Sequence, residues 1–139
     1  MKKIIAVDFD GTIVSHMYPK IGLDNPNAIR VLKKLIEQGH QLILWTMRSG
    51  PELDEAVAYC EEQGISFLGV NSNPDQSGWT TSPKQYADLY IDDSALGCPT
   101  IFDPNTSRQR VTWRDVGAIL VRTGYLISCR TEGAKHNVL

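Results

Sequence analysis

The sequence predicts an α/β protein built around a central parallel sheet. Short apolar runs alternate along the chain with amphipathic segments, at the spacing of strand–helix–strand units. The first run, from Ile4 to Val7 with Lys3 ahead of it, has no polar alternation, which is typical of a strand buried on both faces. Parallel strands joined by helices need crossover connections, and these are right-handed. We therefore expect a three-layer sandwich with helices on both sides of the sheet.

Capping and turn residues set the expected limits of each element. Asn25 is a candidate N-cap with Pro26 at the first helical position, and Thr112 to Asp115 resembles a capping box. We predict a loop or small hairpin at 13–24, helices from Asn25 to Gly39, from Pro51 to Gly64 and from Thr112 to Gly124, strands at 42–45, 65–70, 88–91 and 99–102, and a long polar loop at 71–84.

Length and composition predict a single globular domain. The chain has 139 residues, a formal charge of −2 and a charged fraction of 22%, so no broad nucleic-acid surface is indicated. No apolar run approaches the length of a membrane span, and an odd set of three cysteines without a CxxC pattern fits a reducing cytoplasm. We expect one domain over 1–127 and a flexible C-terminal tail over 128–139.

Carboxylates follow the first and fourth predicted strands. Asp8 and Asp10 leave the first strand two residues apart, so both point to one side. Two unit charges about 4 Å apart repel by roughly 4 kcal/mol at an effective dielectric constant near 20, which predicts a hard cation between them. A calcium loop beginning at Asp8 is excluded, because its twelfth position is Pro19 and not glutamate. Asp92 and Asp93 follow the fourth strand.

The second strand also ends in a polar residue, Thr46. The carboxyl ends of parallel strands meet at one edge of the sheet, where α/β proteins bind ligands. The sequence therefore predicts a site at this edge that combines the two acid pairs with Thr46.

These motifs together resemble the haloacid dehalogenase superfamily of phosphohydrolases. The resemblance rests on DFDGT at 8–12, LILWT ending in Thr46, Lys84 within SPKQYADLYIDD, and IDD at 91–93. It covers residues 3–93 well and follows the rest only in outline. It implies a Rossmann-like central sheet and Mg²⁺-dependent hydrolysis of phosphate monoesters.

The resemblance also implies a role for each motif residue. Asp8 would attack phosphorus to form an aspartyl-phosphate, and Asp10 would act as general acid and base. Thr46 would bind a phosphate oxygen, and Lys84 would bind the phosphoryl group and offset the carboxylates. The implied Mg²⁺ ligands are Asp8, the main-chain carbonyl of Asp10, Asp92 and, through water, Asp93.

Members of this superfamily often carry a cap domain at one of two insertion points, and neither holds one here. We therefore expect a capless protein with an open site, closed by a bulky substrate or by a neighbouring subunit in a homo-oligomer. Arg48, Lys20 and Trp79 lie in loops expected to border the mouth, where they are candidate substrate contacts, and Asn73 and His16 lie in the same loops.

Other functions remain open at this stage. Trp79 and Arg48 would suit a polynucleotide or nucleotide phosphatase, although the lack of basic excess weakens that reading. A non-catalytic phosphate-binding or regulatory domain is an alternative of another class. The presence of Asp8, Asp10 and Lys84 argues against it, because a degenerate member would be expected to lose them. Dehalogenation and phosphonate cleavage fit the motifs less well than phosphoryl transfer.

Overall fold

A computed structural model describes residues 1–127, and the predicted tail at 128–139 lies outside the described residues. Within the described part, no helix has the length and apolar character needed to cross a membrane. The strands are β1 (Ile4–Val7), β2 (Gln41–Leu44), β3 (Gly69–Val70), β4 (Leu89–Ile91), β5 (Thr100–Asp103) and β6 (Arg108–Val111). The helices are α1 (Ala28–Glu37), α2 (Gly50–Glu62) and α3 (Trp113–Arg122), with a 3₁₀ turn at Pro74–Gly78.

The central sheet has four parallel strands in the order β3-β2-β1-β4, which confirms the predicted α/β class. Val7 of β1 is in register with Leu44 of β2 and with Ile91 of β4. The residues that follow these strands therefore emerge side by side at one edge. Asp8 leaves the middle of that edge, between the residues that follow β2 and those that follow β4.

The main hydrophobic core lies on one face of this sheet. Ile5 and Val7 of β1 and Leu42 and Leu44 of β2 point into it, and all three helices contribute to the same buried cluster. The helical members are Val31, Leu32 and Leu35 of α1, Ala56 and Cys60 of α2, and Val116 and Leu120 of α3. Cys60 is fully buried and packs as a small core residue.

The opposite face is covered in a different way from the one we predicted. Ala6 and Ile43 are buried there, and Tyr90 of β4 is in register with Ala6. The Tyr90 hydroxyl donates to the carbonyl of Gln85 and accepts from the N–H of Ala87, so the loop before β4 crosses this face. Over residues 1–127, the layer that we expected to be helical is therefore a loop with one 3₁₀ turn.

Several element limits differ from the predicted ones. The third strand is only Gly69–Val70, because the N–H of Ile65 bonds to the carbonyl of Cys60 and completes the end of α2. The short strand expected at 99–102 is β5, but it pairs antiparallel with β6 in a separate two-stranded sheet. The predicted N-cap is confirmed: Thr112 caps α3, and its side chain accepts from the N–H of Asp115. The reciprocal bond of a capping box is not formed, because the N–H of Thr112 donates to the carbonyl of Pro99.

Helix α1 begins at Ala28, two residues after Pro26, with Asn27 at the N-cap. The expectation that Asn25 caps the helix was wrong, because its side chain is used elsewhere. The Asn25 amide donates to the carbonyls of Thr12 at 2.7 Å and Val111 at 2.8 Å. Its oxygen accepts from Arg110 at 2.8 Å, which completes a buried clamp between the loop after β1 and the end of β6.

Trp113 reinforces this clamp from the first turn of α3. Its ring is 1% exposed, and its Nε1–H donates to the carbonyl of Thr12 at 2.7 Å. The main-chain N–H of Val111 donates to the carbonyl of Gly11 at 2.9 Å. The segment after β4, which the sequence motifs did not cover, therefore fixes the loop that carries Asp8 and Asp10.

We expect Asn25→Ala to lower the free energy of unfolding by about 2–4 kcal/mol, because the carbonyls of Thr12 and Val111 and the guanidinium of Arg110 each lose a hydrogen bond. Urea unfolding monitored by Trp fluorescence would measure the change. Asn105→Ala is the matched control, because Asn105 is exposed and its side chain should contribute less than about 0.5 kcal/mol. Equal stability of the two variants would contradict the clamp.

Candidate functional site

Three carboxylates meet at the carboxyl edge of the sheet. Asp8 follows β1, and Asp92 and Asp93 follow the neighbouring strand β4. One oxygen from each lies within 4.8 Å of one from the others. The Thr12 hydroxyl donates to Asp8 Oδ2 at 2.9 Å and accepts from the N–H of Asp93 at 3.2 Å. This hydroxyl therefore fixes the two strand ends relative to each other.

Among the described residues 1–127, no cationic side chain forms an ion pair with Asp8, Asp92 or Asp93. Burial, followed by a hydrogen bond to Asp93 and the charge of Asp92, raises the pKa of Asp8 to about 9. Burial also raises the pKa of Asp92, and Asp93 adds to this shift. A cluster of partly buried carboxylate oxygens without nitrogen or sulfur donors has the chemistry that Mg²⁺ prefers. The residues therefore fit a hard divalent cation.

Gly11 lets the loop pass close to this cluster. Its φ is +80°, and a Cβ at this position would lie 2.6 Å from Oδ2 of Asp93. Both the backbone conformation and the lack of space therefore exclude a side chain. The glycine of the DFDGT motif is thus explained by the packing of the β1 loop against the β4 loop.

The fourth carboxylate, Asp10, is held apart from the cluster by Arg48. Arg48 is 2% exposed, and its guanidinium lies near the rings of Phe9 and Tyr18, with Cζ 5.1 Å and 5.2 Å from their centroids. Nε and Nη2 donate to the two oxygens of Asp10 at 2.8 Å each. The remaining N–H groups donate to the carbonyls of Pro19 at 3.1 Å, Lys20 at 2.8 Å and Glu52 at 3.2 Å.

This arrangement corrects the expectation that Arg48 contacts substrate. A guanidinium has five N–H donors, and in Arg48 every one is used by the protein. The hydrogen bonds to Asp10 raise the pKa of Arg48 above its ordinary value. Arg48 is therefore a structural anchor that ties the β1 loop, the 13–24 segment and α2 together.

Thr46 lies at the site with its hydroxyl in a defined position. The Thr46 Oγ1 accepts from the N–H of Arg48 at 3.1 Å, which leaves its proton for an incoming oxygen. The N–H of Thr46 donates to Oδ1 of Asn71 at 2.7 Å. We did not single out Asn71, which has φ of +55° directly after β3. An Asn at a strand end is a weak signal for this conformation.

A cavity of about 480 Å³ opens over these groups. Beyond the acids, Thr46 and Arg48, its lining includes five further residues. The 13–24 segment contributes His16 and Tyr18, the loops after β2 and β4 contribute Met47 and Ser94, and the start of β6 contributes Arg108. A second cavity of about 390 Å³ adjoins it and is lined by Asp8, Trp45, Thr46, Met47, Asn71 and Asp92.

Three predicted site residues lie outside both cavities. Lys84 is exposed, and its main-chain groups bond to Ser82 and Gln76. The Lys20 side chain is exposed, and only its carbonyl reaches Arg48. Trp79 is 65% exposed and packs edge-on against Tyr86. The structure therefore does not bring these side chains to the acid cluster.

Asn73 also has a structural role, since its side chain caps the 3₁₀ turn through the N–H of Asp75 and donates to the carbonyl of Tyr86. The sequence offered no signal for His16 beyond its place in a loop. Arg108 was missed altogether, because the β5–β6 hairpin was not predicted.

A scan against protein-family models and a search of the curated proteins each found no match. Among solved structures, the chain is similar to a conserved protein from Bacteroides thetaiotaomicron. The two share 36% sequence identity with a TM-score of 0.73, over 88% of this chain and 93% of the other. The chain belongs to the same family as this Bacteroides protein.

We expect Asp8→Asn to stabilise the metal-free protein. Between the ordinary carboxyl pKa of 3.8 and about 9, the folded state holds a proton on Asp8 that the unfolded state releases. Wild-type stability therefore falls as pH rises through this range, and the asparagine variant lacks that loss. A rise in Tm of at least about 3 °C at pH 8 in EDTA, shrinking toward pH 5, would be measured by calorimetry.

Asp54→Asn, an exposed position on α2, serves as the control and should leave Tm within about 1 °C. A lower Tm for Asp8→Asn than for wild type would contradict the expectation that the ionised Asp8 carboxylate destabilises the metal-free protein.

We expect Arg48→Met to lower the free energy of unfolding by about 3–5 kcal/mol, because it leaves Asp10 partly buried without its partner. Guanidinium unfolding would measure the loss, and Arg114→Met, an exposed arginine of α3, is the matched control. The double variant with Asp10→Asn should recover part of the loss. A single variant as stable as the control would show that the pair is not an anchor.

Proposed function

We propose that this protein is a Mg²⁺-dependent phosphohydrolase of the haloacid dehalogenase superfamily, which cleaves phosphate monoesters through an aspartyl-phosphate on Asp8. The observation that carries this proposal is the convergence of Asp8, Asp92 and Asp93 within 4.8 Å at the carboxyl edge of a parallel sheet. The order of the motifs along the chain supports it independently of the geometry. The similarity to the Bacteroides protein supports the fold and gives no information about activity.

The acid cluster would hold Mg²⁺ through Asp8, Asp92 and Asp93, with the main-chain carbonyl of Asp10 as a further ligand. When bound, the ion supplies positive charge that draws a phosphate to the cluster and polarises phosphorus toward attack. The raised pKa of Asp8 supports this assignment, because burial, the hydrogen bond to Asp93 and the charge of Asp92 disfavour the ionised carboxylate, which a bound cation would favour.

The covalent step belongs to Asp8. One carboxylate oxygen of Asp8 would attack phosphorus, and the bond from phosphorus to the leaving oxygen would break as that oxygen gains a proton. Water would then attack the same phosphorus, and the bond to Asp8 would break to release inorganic phosphate. The hydrogen bond from Thr12 to Asp8 Oδ2 at 2.9 Å orients the carboxylate and leaves Oδ1 as the attacking atom.

Asp10 would move the proton in both steps. Each of its oxygens accepts a hydrogen bond from Arg48, and each carboxylate oxygen has a second lone pair that can take part in proton transfer. Because Asp10 lines the cavity beside Asp8, its free lone pairs can face the leaving group. Arg48 would then act as a positioning residue that fixes the direction of that transfer.

Thr46 would bind a phosphate oxygen through the hydroxyl proton that the protein leaves unused. The role proposed for Lys84 is less well supported, because Lys84 lies outside the cavities and would have to move with its loop to reach a phosphoryl group. The stacking role of Trp79 in a nucleotide phosphatase lacks support for the same reason. The monoesterase proposal does not depend on either residue.

The two stretches in which a cap domain would be inserted are short, which supports a capless arrangement. Between Asp10 and Thr46 the chain forms the 13–24 segment, α1 and β2. Between Thr46 and Lys84 it forms α2, β3 and the 3₁₀ turn. Neither stretch contains elements beyond those of the central fold, so substrate selection would rest on the walls of the cavity.

Hydrolysis of p-nitrophenyl phosphate by wild type and by Asp8→Asn, each with Mg²⁺ and with EDTA, tests the proposal. We expect turnover only in wild type with Mg²⁺, and a loss of more than about 10³-fold in kcat for the variant, because it lacks the nucleophile. Asp54→Asn should retain the full rate. Turnover by Asp8→Asn at the wild-type rate would refute the aspartyl-phosphate mechanism.

A second measurement separates an inactive site from a binding module. Beryllium fluoride with Mg²⁺ mimics a phosphoryl group on a carboxylate, and it should raise the Tm of wild type but not that of Asp8→Asn. Absence of both turnover and this Tm shift in folded wild type would overturn the proposed function. A shift without turnover would favour the non-catalytic phosphate-binding alternative.

A further inference from the structure

Some of the charged side chains that line the larger cavity are already bonded to the protein, and others are available to bind a ligand. The lining contains four carboxylates, from Asp8, Asp10, Asp92 and Asp93, and two guanidinium groups, from Arg48 and Arg108. All five N–H groups of Arg48 donate to other groups of the protein, as described above. Within residues 1–127, no hydrogen bond or ion pair engages the Arg108 side chain. Arg108 is therefore the guanidinium that the cavity can offer to a ligand.

Arg110, the neighbouring arginine on the same strand, differs from Arg108 because its side chain is hydrogen-bonded to the protein. Arg110 points to the same face of β6 as Arg108, because residues two apart on a strand share a face. Arg110 donates to Asn25 at 2.8 Å and lies 3.7 Å from a carboxylate oxygen of Asp103. Arg110 is thus part of the clamp beneath the loop, whereas Arg108 continues toward solvent at the cavity wall.

Arg108 stands at the rim of the cavity and not at its floor. Val111, at the other end of β6, bonds to Gly11 beside the acid cluster. Arg108 lies three positions before Val111 on this strand, a rise of about 10 Å. The floor is formed by Asp8, Asp92 and Asp93, where a transferred phosphoryl group would lie. A group that meets Arg108 is therefore on the part of a substrate that points away from the acid cluster.

From this placement we propose that Arg108 binds a second anionic group, a carboxylate or a phosphate, on the leaving portion of a small phosphate monoester. The inference rests on the proposed function and names the substrate class for that same site. A guanidinium donates two parallel hydrogen bonds to a carboxylate or a phosphate, which fixes the orientation of the substrate as well as its affinity. The cavity volume of about 480 Å³ suits a small molecule.

The electrostatics of the cavity give Arg108 a second effect. With Arg48 paired to Asp10, the free charges of the lining are three carboxylates and Arg108, which leaves an excess of two negative charges. A divalent cation would cancel that excess. Without Arg108 the loaded site would still repel an anion, so this side chain lets a substrate with two anionic ends enter.

The test compares two aryl phosphates that differ only in charge, 3-carboxyphenyl phosphate and 3-carbamoylphenyl phosphate. We expect wild type with Mg²⁺ to prefer the carboxylate in kcat/KM by about tenfold, the lower end for a hydrogen bond to a charged group. Arg108→Gln should abolish that preference, mainly through KM, while kcat/KM for the carbamoyl compound stays within about threefold. Arg108→Lys should restore part of the preference.

Arg114→Gln is the matched control, because Arg114 is exposed on α3 and does not line either cavity. It should keep the wild-type preference. Since Arg108 is exposed, its variants should unfold at the wild-type temperature, and calorimetry would check this.

The outcomes separate this inference from the function on which it rests. Turnover of both compounds by wild type without preference, or equal loss for both in Arg108→Gln, would overturn the role of Arg108 and leave the phosphohydrolase intact. Equal loss would instead place Arg108 on the transferred phosphoryl group. Failure of wild type to turn over either compound would overturn the proposed function and the inference together.

Discussion

The buried guanidinium of Arg48 is the interaction on which the rest of the site depends. It joins the β1 loop through Asp10, the 13–24 segment through Pro19 and Lys20, and α2 through Glu52. Three of its five hydrogen bonds go to main-chain carbonyls, so it fixes the path of the chain and not only the position of a side chain. Removing a charge this deeply buried leaves several acceptors without a donor at once.

The same pair divides the charges at the sheet edge into two groups. Asp10 is neutralised by the protein, whereas burial, followed by the hydrogen bond to Asp93 and the charge of Asp92, raises the pKa of Asp8 to about 9. Folding therefore costs free energy at the acid cluster, whereas the ion pair between Arg48 and Asp10 stabilises the folded state. A region that the protein stabilises poorly by itself, and that offers only oxygen donors, is one that gains stability when a cation binds.

The sequence predicted those features that depend on local pattern or on strand ends. Asp8, Thr46 and Asp92 meet because parallel strands end at one edge, and that follows from the alternation of strands and helices. Asn25 and Arg48 were misjudged because their partners lie far along the chain. Asn25 bonds to Val111, 86 residues away, and Arg48 to Asp10, 38 residues away. Capping rules consider only neighbouring residues, so they assigned Asn25 to the nearest helix.

The β5–β6 hairpin shows why substrate selection is harder to predict than the motif residues. No alternation of hydrophobic and polar residues predicts strand β6, because its sequence is Arg108, Gln109, Arg110 and Val111. Yet one face of β6 carries two arginines in different environments. Arg110 belongs to the clamp beneath the β1 loop, and Arg108 lies at the cavity wall. A change in the length of this hairpin would move the rim cation while Val111 kept the acid cluster in place. The fold thus separates the acid cluster from the rim of the cavity, and residues at the rim can vary while the cluster stays fixed.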